Sequence, residues 1–103
     1  MNQTYYTGRK LFTGRGVVDD FAMLAEGGTI LAVGSQQDVT CPADAERVAL
    51  EGWVTPGLLD CHVHIIGSEL MNENATPRET AQLICEGAHN AWLLLTAGVV
   101  ACR

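Results

Sequence analysis

The chain has no block of like charge, no Cys-x-x-Cys pair, no internal repeat and no low-complexity segment. Its 12 acidic residues outnumber six basic ones, for a formal net charge of −6, and they are scattered. That balance argues against a nucleic-acid or anionic-membrane surface, and scattered acids read as solvated surface. The N-terminus, Met1-Asn2-Gln3-Thr4-Tyr5-Tyr6, lacks the apolar segment of a signal peptide. The longest apolar stretch, Ala91 to Val100, is broken by Thr96 and Gly98. It falls well short of the roughly 20 residues that span a bilayer. A soluble cytoplasmic chain with neither nucleic acid nor membrane as partner is the expectation.

The four cysteines, at positions 41, 61, 85 and 102, do not make a disulfide scaffold and are expected as reduced thiols. Cys61, Cys85 and Cys102 lie in apolar segments and are expected in the core, whereas Cys41 precedes Pro42 in a loop. At 103 residues and 48% apolar content, the chain holds no more than one small domain's worth of core.

The first half reads as β structure. Tyr5 to Phe12 is a short strand candidate broken near Gly8, Gly14-Arg15-Gly16 a turn, and Val17 to Ala25 a second strand with Phe21, Met23 and Ala25 on one face. Glu26-Gly27-Gly28 is the hairpin connection to Thr29 to Val33, because glycine accepts positive φ at little cost. Gln36 to Glu46 is loop or helical turn, Arg47 to Leu50 a short strand, and Glu51-Gly52 a turn. Leu58 to Ile66 is the next strand, followed by a loop to Thr76.

A helix then begins with Thr76 as N-cap, Pro77 in its first turn and Glu79 completing a capping box. Ala81, Ile84, Cys85, Ala88, Trp92 and Leu95 recur at helical spacing and are expected as its buried stripe. Gly98 ends the helix, and Val99 to Cys102 starts another apolar strand. Strand, helix and strand make a βαβ unit.

The segment Thr55-Pro56-Gly57-Leu58-Leu59-Asp60-Cys61-His62-Val63-His64 carries the chemistry. On a strand, alternation sends His62 and His64 to one face. Two neutral imidazoles side by side are half of a divalent metal site. Asp60 shares that face, where it reads first as a structural acid rather than a ligand, with orienting an imidazole from behind as the alternative. Cys61 points the other way. Glu69, Asn72 and Glu73 follow in the loop, where substrate contact competes with ordinary solvation. His89 sits toward the polar side of the helix and reads as solvated surface.

This pattern resembles the amidohydrolase superfamily, whose signature Pro-Gly-(apolar)2-Asp-x-His-x-His is matched at every position from Pro56 to His64. Gly28 to Gly34 is similar to the family's sandwich hairpin. Leu95 to Arg103 is similar to its second barrel strand, most of all in the imidazolonepropionase-like and prolidase-like branch. The resemblance implies a mixed α/β fold in two parts. Residues 1–55 would be part of a small β-sandwich. Residues 56–103 would be the first strand, first helix and start of the second strand of a (β/α)8 barrel.

It also implies an N-terminal portion of a metal-dependent hydrolase. One or two divalent ions, usually zinc, would activate water against the C–N bond of an amide, cyclic amide or dipeptide-like substrate. His62 and His64 would be metal ligands at the carboxyl end of a barrel strand. The family's bridging ligand, further histidines and catalytic aspartate come from later strands, so no catalytic residue falls within these 103. Two histidines suit zinc, nickel, copper or iron. The expected partners are a small amide-type substrate, and either the remainder of the barrel or a second copy to cover exposed apolar surface. The alternative reading is a non-catalytic oligomeric β/α module with a metal shared between chains.

Overall fold

Gly27 and Gly28 organise the first half. The computed structural model describes residues 3–67 and 75–103, and both glycines adopt positive φ, 55° and 82°. Positive φ at both positions of a two-residue turn matches the right-handed twist of the strands that it joins. The turn connects β2 (Val17–Glu26) to β3 (Thr29–Ser35) as an antiparallel hairpin with Glu26 opposite Thr29. β1 (Gln3–Phe12) pairs antiparallel on the other side of β2, with Phe12 opposite Val17 across the Gly14-Arg15-Gly16 turn. Thr13 holds that turn, its hydroxyl accepting from the amides of Arg15 and Gly16.

β4 (Glu46–Val54) completes a four-stranded sheet in the order β3-β2-β1-β4, running parallel to β1. It is longer than Arg47 to Leu50. Gly52, expected to turn the chain, instead sits inside the strand at φ 80°. The register slips there by one residue, from Gly8 opposite Leu50 to Lys10 opposite Trp53. The glycine absorbs an extra residue as a bulge and lets the strand run on.

The core of this unit is Tyr5, Ala22 and Val39, with Leu24, Ala32, Cys41 and Ala45 packed around it. The Tyr5 hydroxyl donates to the Val39 carbonyl at 2.9 Å, so its polar tip is satisfied where it is buried. This bond holds the loop between β3 and β4 over the sheet. Phe21 and its neighbour Ala22 are both fully buried, so β2 does not follow simple alternation. Asp20, at φ 44°, marks the irregularity. The Phe21 ring lies over Gly8, where a Cβ would come within 2.6 Å of it.

A second compact unit begins at Gly57. β5 (Leu58–Asp60) and β6 (Val99–Cys102) pair in parallel and are joined through α1 (Pro77–Thr96). The helix start is as the sequence predicts: Thr76 caps it, its hydroxyl accepts from the Glu79 amide, and the Glu79 carboxylate accepts from the Thr76 amide at 2.8 Å. The Thr76 amide and the Thr76 hydroxyl, which also donates to the Glu79 carboxylate at 2.8 Å, hold that carboxyl below its ordinary range, the backbone amide contributing most. Gly98 follows the helix at φ 92°.

The buried face of α1 is not the expected one. Leu83, Gly87 and Leu94 turn inward, whereas Ile84, Trp92 and Leu95 are 62%, 58% and 61% exposed, and Ala81, Cys85 and Ala88 are exposed with them. The helix has two apolar faces, and periodicity favours the longer one without knowing which meets the strands. Cys61, Cys85 and Cys102 are likewise exposed rather than core, and all four thiols are free. The architecture is a mixed four-stranded sheet followed by a strand–helix–strand unit. No described helix is long and apolar enough to cross a membrane.

Candidate metal centre

β5 ends at Asp60, six residues before the end expected from the apolar run. The Asp60 carboxylate accepts from the backbone amide of His62 at 3.0 Å. An aspartate bonded to the amide two residues on makes an Asx turn, and the turn takes the chain out of the strand. The ladder is not lost at once. Arg103 donates its amide to the Asp60 carbonyl at 3.0 Å, and Val63 donates to the Arg103 carbonyl at 3.1 Å. Asp60 therefore meets the backbone of His62, not its ring.

The two imidazoles still come together. Their Nε2 atoms are 3.1 Å apart, with ring centroids 5.1 Å apart and planes tilted by 57°. As a hydrogen bond, this contact needs one Nε2 protonated and the other bare. The spacing also fits a shared cation: at a Zn–N distance of about 2.0–2.1 Å, two tetrahedral ligand nitrogens lie roughly 3.3 Å apart. Both rings are exposed, so an ion can reach them. Both would have to present a bare Nε2, with the proton on Nδ1.

Two helix residues that sequence reasoning missed hold the segment after His64. Asn90 donates its amide Nδ2 to the Ile65 carbonyl at 2.9 Å. Gly87 allows the close approach of Ile66, whose Cγ1 would be 2.7 Å from a Cβ at that position. A glycine in a helix interior costs about 1 kcal/mol relative to alanine, and that was the available signal of a packing reason. His64 lies at the edge of a mainly apolar groove lined by Val63, Ile65, Asn90, Leu93, Leu94 and Ala97.

Among the described residues, no third His, Cys, Asp or Glu joins the histidine pair to make a three-ligand group. Two ligands fall short of the three or four protein ligands usual for zinc. His89 stacks on Trp92, with centroids 6.1 Å apart. The candidate mouth residues Glu69, Asn72 and Glu73 lie outside the described residues.

No protein-family model matches the chain. Curated relatives match about half of it. An imidazolonepropionase from Methylobacterium nodulans is 41% identical over 54 residues, which are 52% of this chain and 14% of that protein. An imidazolonepropionase from Acinetobacter baumannii is 42% identical over 50 residues, 48% of this chain and 12% of that protein. The matched stretch thus spans about one seventh of these relatives' length.

Solved structures match nearly all of the chain. A prolidase described as putative, from Bifidobacterium longum, superposes with a TM-score of 0.68 at 20% identity, covering 99% of this chain and 23% of that one. A Xaa-Pro dipeptidase with bound methionine gives a TM-score of 0.70 at 19% identity, covering 99% and 26%. A molinate hydrolase gives 0.70 at 22%, covering 98% and 23%. At these identities the structural likeness is one of fold. Fold and sequence agree on the N-terminal portion of amidohydrolase-superfamily proteins.

Proposed function

We propose that this chain, which has the fold of the N-terminal portion of the amidohydrolase superfamily, supplies the first metal ligands of a hydrolase acting on C–N bonds. The observation that carries this reading is the 3.1 Å approach of His62 Nε2 to His64 Nε2. In this reading residues 1–55 are part of a small β-sandwich, and residues 56–103 open a (β/α)8 barrel. Active sites in such barrels form at the carboxyl ends of the strands, where both histidines follow β5.

Each residue present has a task in that scheme. His62 and His64 would hold the ion through Nε2. Asp60 acts on His62 through the backbone: its carboxylate pins the His62 amide and so fixes where the ring begins. Asn90 does the same for the segment after His64 by holding the Ile65 carbonyl. The apolar groove beside His64 offers a wall for the substrate's carbon skeleton. A divalent ion, zinc by preference for this donor set, would supply Lewis acidity and activated water.

The substrate class that fits is a small amide, cyclic amide or dipeptide-like molecule. The chain by itself is not expected to turn it over, since the other ligands and the proton-transferring carboxylate of such a reaction are not among the described residues. The remaining groups would come from further barrel strands.

The test is zinc titration by calorimetry in a background where Cys41, Cys61, Cys85 and Cys102 are replaced, because exposed thiols also bind zinc. The expected result is one weak site whose affinity falls more than about ten-fold in both His62→Ala and His64→Ala. Equal affinity in either variant and its parent would overturn the assignment.

A further inference from the structure

The exposed face of α1 has a regularity that a solvated face does not need. Ala81, Cys85, Ala88, Trp92 and Leu95 follow one another at intervals of four, three, four and three. That is the heptad spacing of a helix–helix seam. At about 100° per residue, this seam lies roughly 150° round the helix from the Leu83, Gly87 and Leu94 face that meets the strands. It is therefore directed away from the unit's own core. From residue 80 to residue 102 the only formal charge is Glu86, which falls outside the seam. A helix face meant for water ordinarily carries more.

We infer that this face binds a second copy of the chain, the two α1 helices crossing antiparallel about a two-fold axis at Ala88. Size complementarity selects that arrangement. With Ala88 opposite itself, Ala81 meets the partner's Leu95 and Cys85 lies beside the partner's Trp92, so each large side chain meets a small one. Parallel pairing would set Trp92 against Trp92 and Ala81 against Ala81, crowding one end and leaving the other empty. Trp92 is already oriented by its stack on His89.

Charge selects the same arrangement. The last turn of α1 has no basic residue to answer its carbonyl end, and Arg78 sits in the first turn on the seam's flank. Antiparallel pairing brings Arg78 of each chain to the partner's bare C-terminal end, where a cation is favoured. The contact is isologous, so it closes as a dimer and does not propagate.

The test is disulfide trapping in a background where Cys41, Cys61 and Cys102 are Ser and Cys85 is Ala, under mild oxidation of dilute protein. Ala88→Cys places two thiols at the axis. Ala81→Cys places them roughly 21 Å apart along it, at 1.5 Å rise per residue. The expected result is about five-fold or more linked dimer for Ala88→Cys than for Ala81→Cys, given the narrow Cα separation that a disulfide accepts. Ala81→Cys should link when mixed with Leu95→Cys.

Sedimentation should show a concentration-dependent dimer that Ala88→Glu disperses, with helix content retained because residue 88 is exposed. Equal linking at positions 81 and 88 would overturn the antiparallel seam. A chain monomeric at every concentration would mean that the face takes another occupant, such as further helices of a longer polypeptide. A dimer that survives Ala88→Glu would place the contact on another surface. Either result overturns the inference.

Discussion

Replacing Gly57 by Ala tests the junction that leads into the histidine segment. Gly57 precedes β5, and its missing side chain is where Val100 of β6 sits. A Cβ at residue 57 would lie 2.5 Å and 2.6 Å from the two γ-carbons of Val100 and 3.1 Å from its Cβ. Rotating Val100 does not free the site. Two of its three staggered positions flank Gly57, and two methyl groups distributed over three positions leave at least one facing it. The strands must separate instead, straining the bond from the Leu58 amide to the Gly98 carbonyl, now 2.8 Å.

Overpacking of this kind costs about 1–3 kcal/mol. Alanine returns about 0.4–1 kcal/mol by restricting the unfolded chain, since Gly57 is not at positive φ. A net loss of about 1–2 kcal/mol is expected. Because α1 is the only helix among the described residues, ellipticity at 222 nm against urea follows this unit. Val100→Ala removes both offending carbons at an exposed position. Gly57→Ala should therefore cost less than about 0.5 kcal/mol when made on top of it, the remainder appearing as coupling energy. A Gly57→Ala protein as stable as its parent, or a loss that Val100→Ala leaves unchanged, would refute the steric argument.

Three further outcomes follow from the structure. Tyr5→Phe strands the Val39 carbonyl in the core and should cost about 1 kcal/mol, read as faster amide exchange in β1 and β2. The depressed Glu79 carboxyl contributes helix stability that is complete above its ordinary value of 4.5 and is lost as pH falls through the lower folded value. Relative to Glu79→Gln, whose amide caps without titrating, the parent should lose helicity on acidification in that window; parallel curves would refute the capping role. Asn90→Ala frees the Ile65 carbonyl and should weaken zinc binding without changing its stoichiometry, since Asn90 holds the segment and not the ion.

Local signals in the sequence were read correctly because neighbours along the chain encode them. The Thr76–Glu79 box, the Gly27-Gly28 turn and the Gly98 stop each need only a few adjacent residues to be recognised. The histidine motif was legible for the same reason, its lead-in, aspartate and two imidazoles lying within nine residues. The mixed α/β order of sheet, then strand, helix and strand, followed from these local elements taken in sequence.

What sequence alone could not supply were choices made between distant segments. β4 pairs with β1 across some forty residues, so nothing local told Gly52 to bulge rather than to turn. Two apolar faces on α1 left periodicity without a means of choosing, and Gly87 and Asn90 decided the matter through Ile66 and the Ile65 carbonyl. The same holds for the histidines. Spacing alone put an aspartate and two imidazoles on one face of a strand expected to run from Leu58 to Ile66. Only the folded chain decided that the aspartate would turn the backbone and that the two Nε2 atoms would still meet at 3.1 Å, because that distance depends on a turn, a neighbouring strand and a helix together.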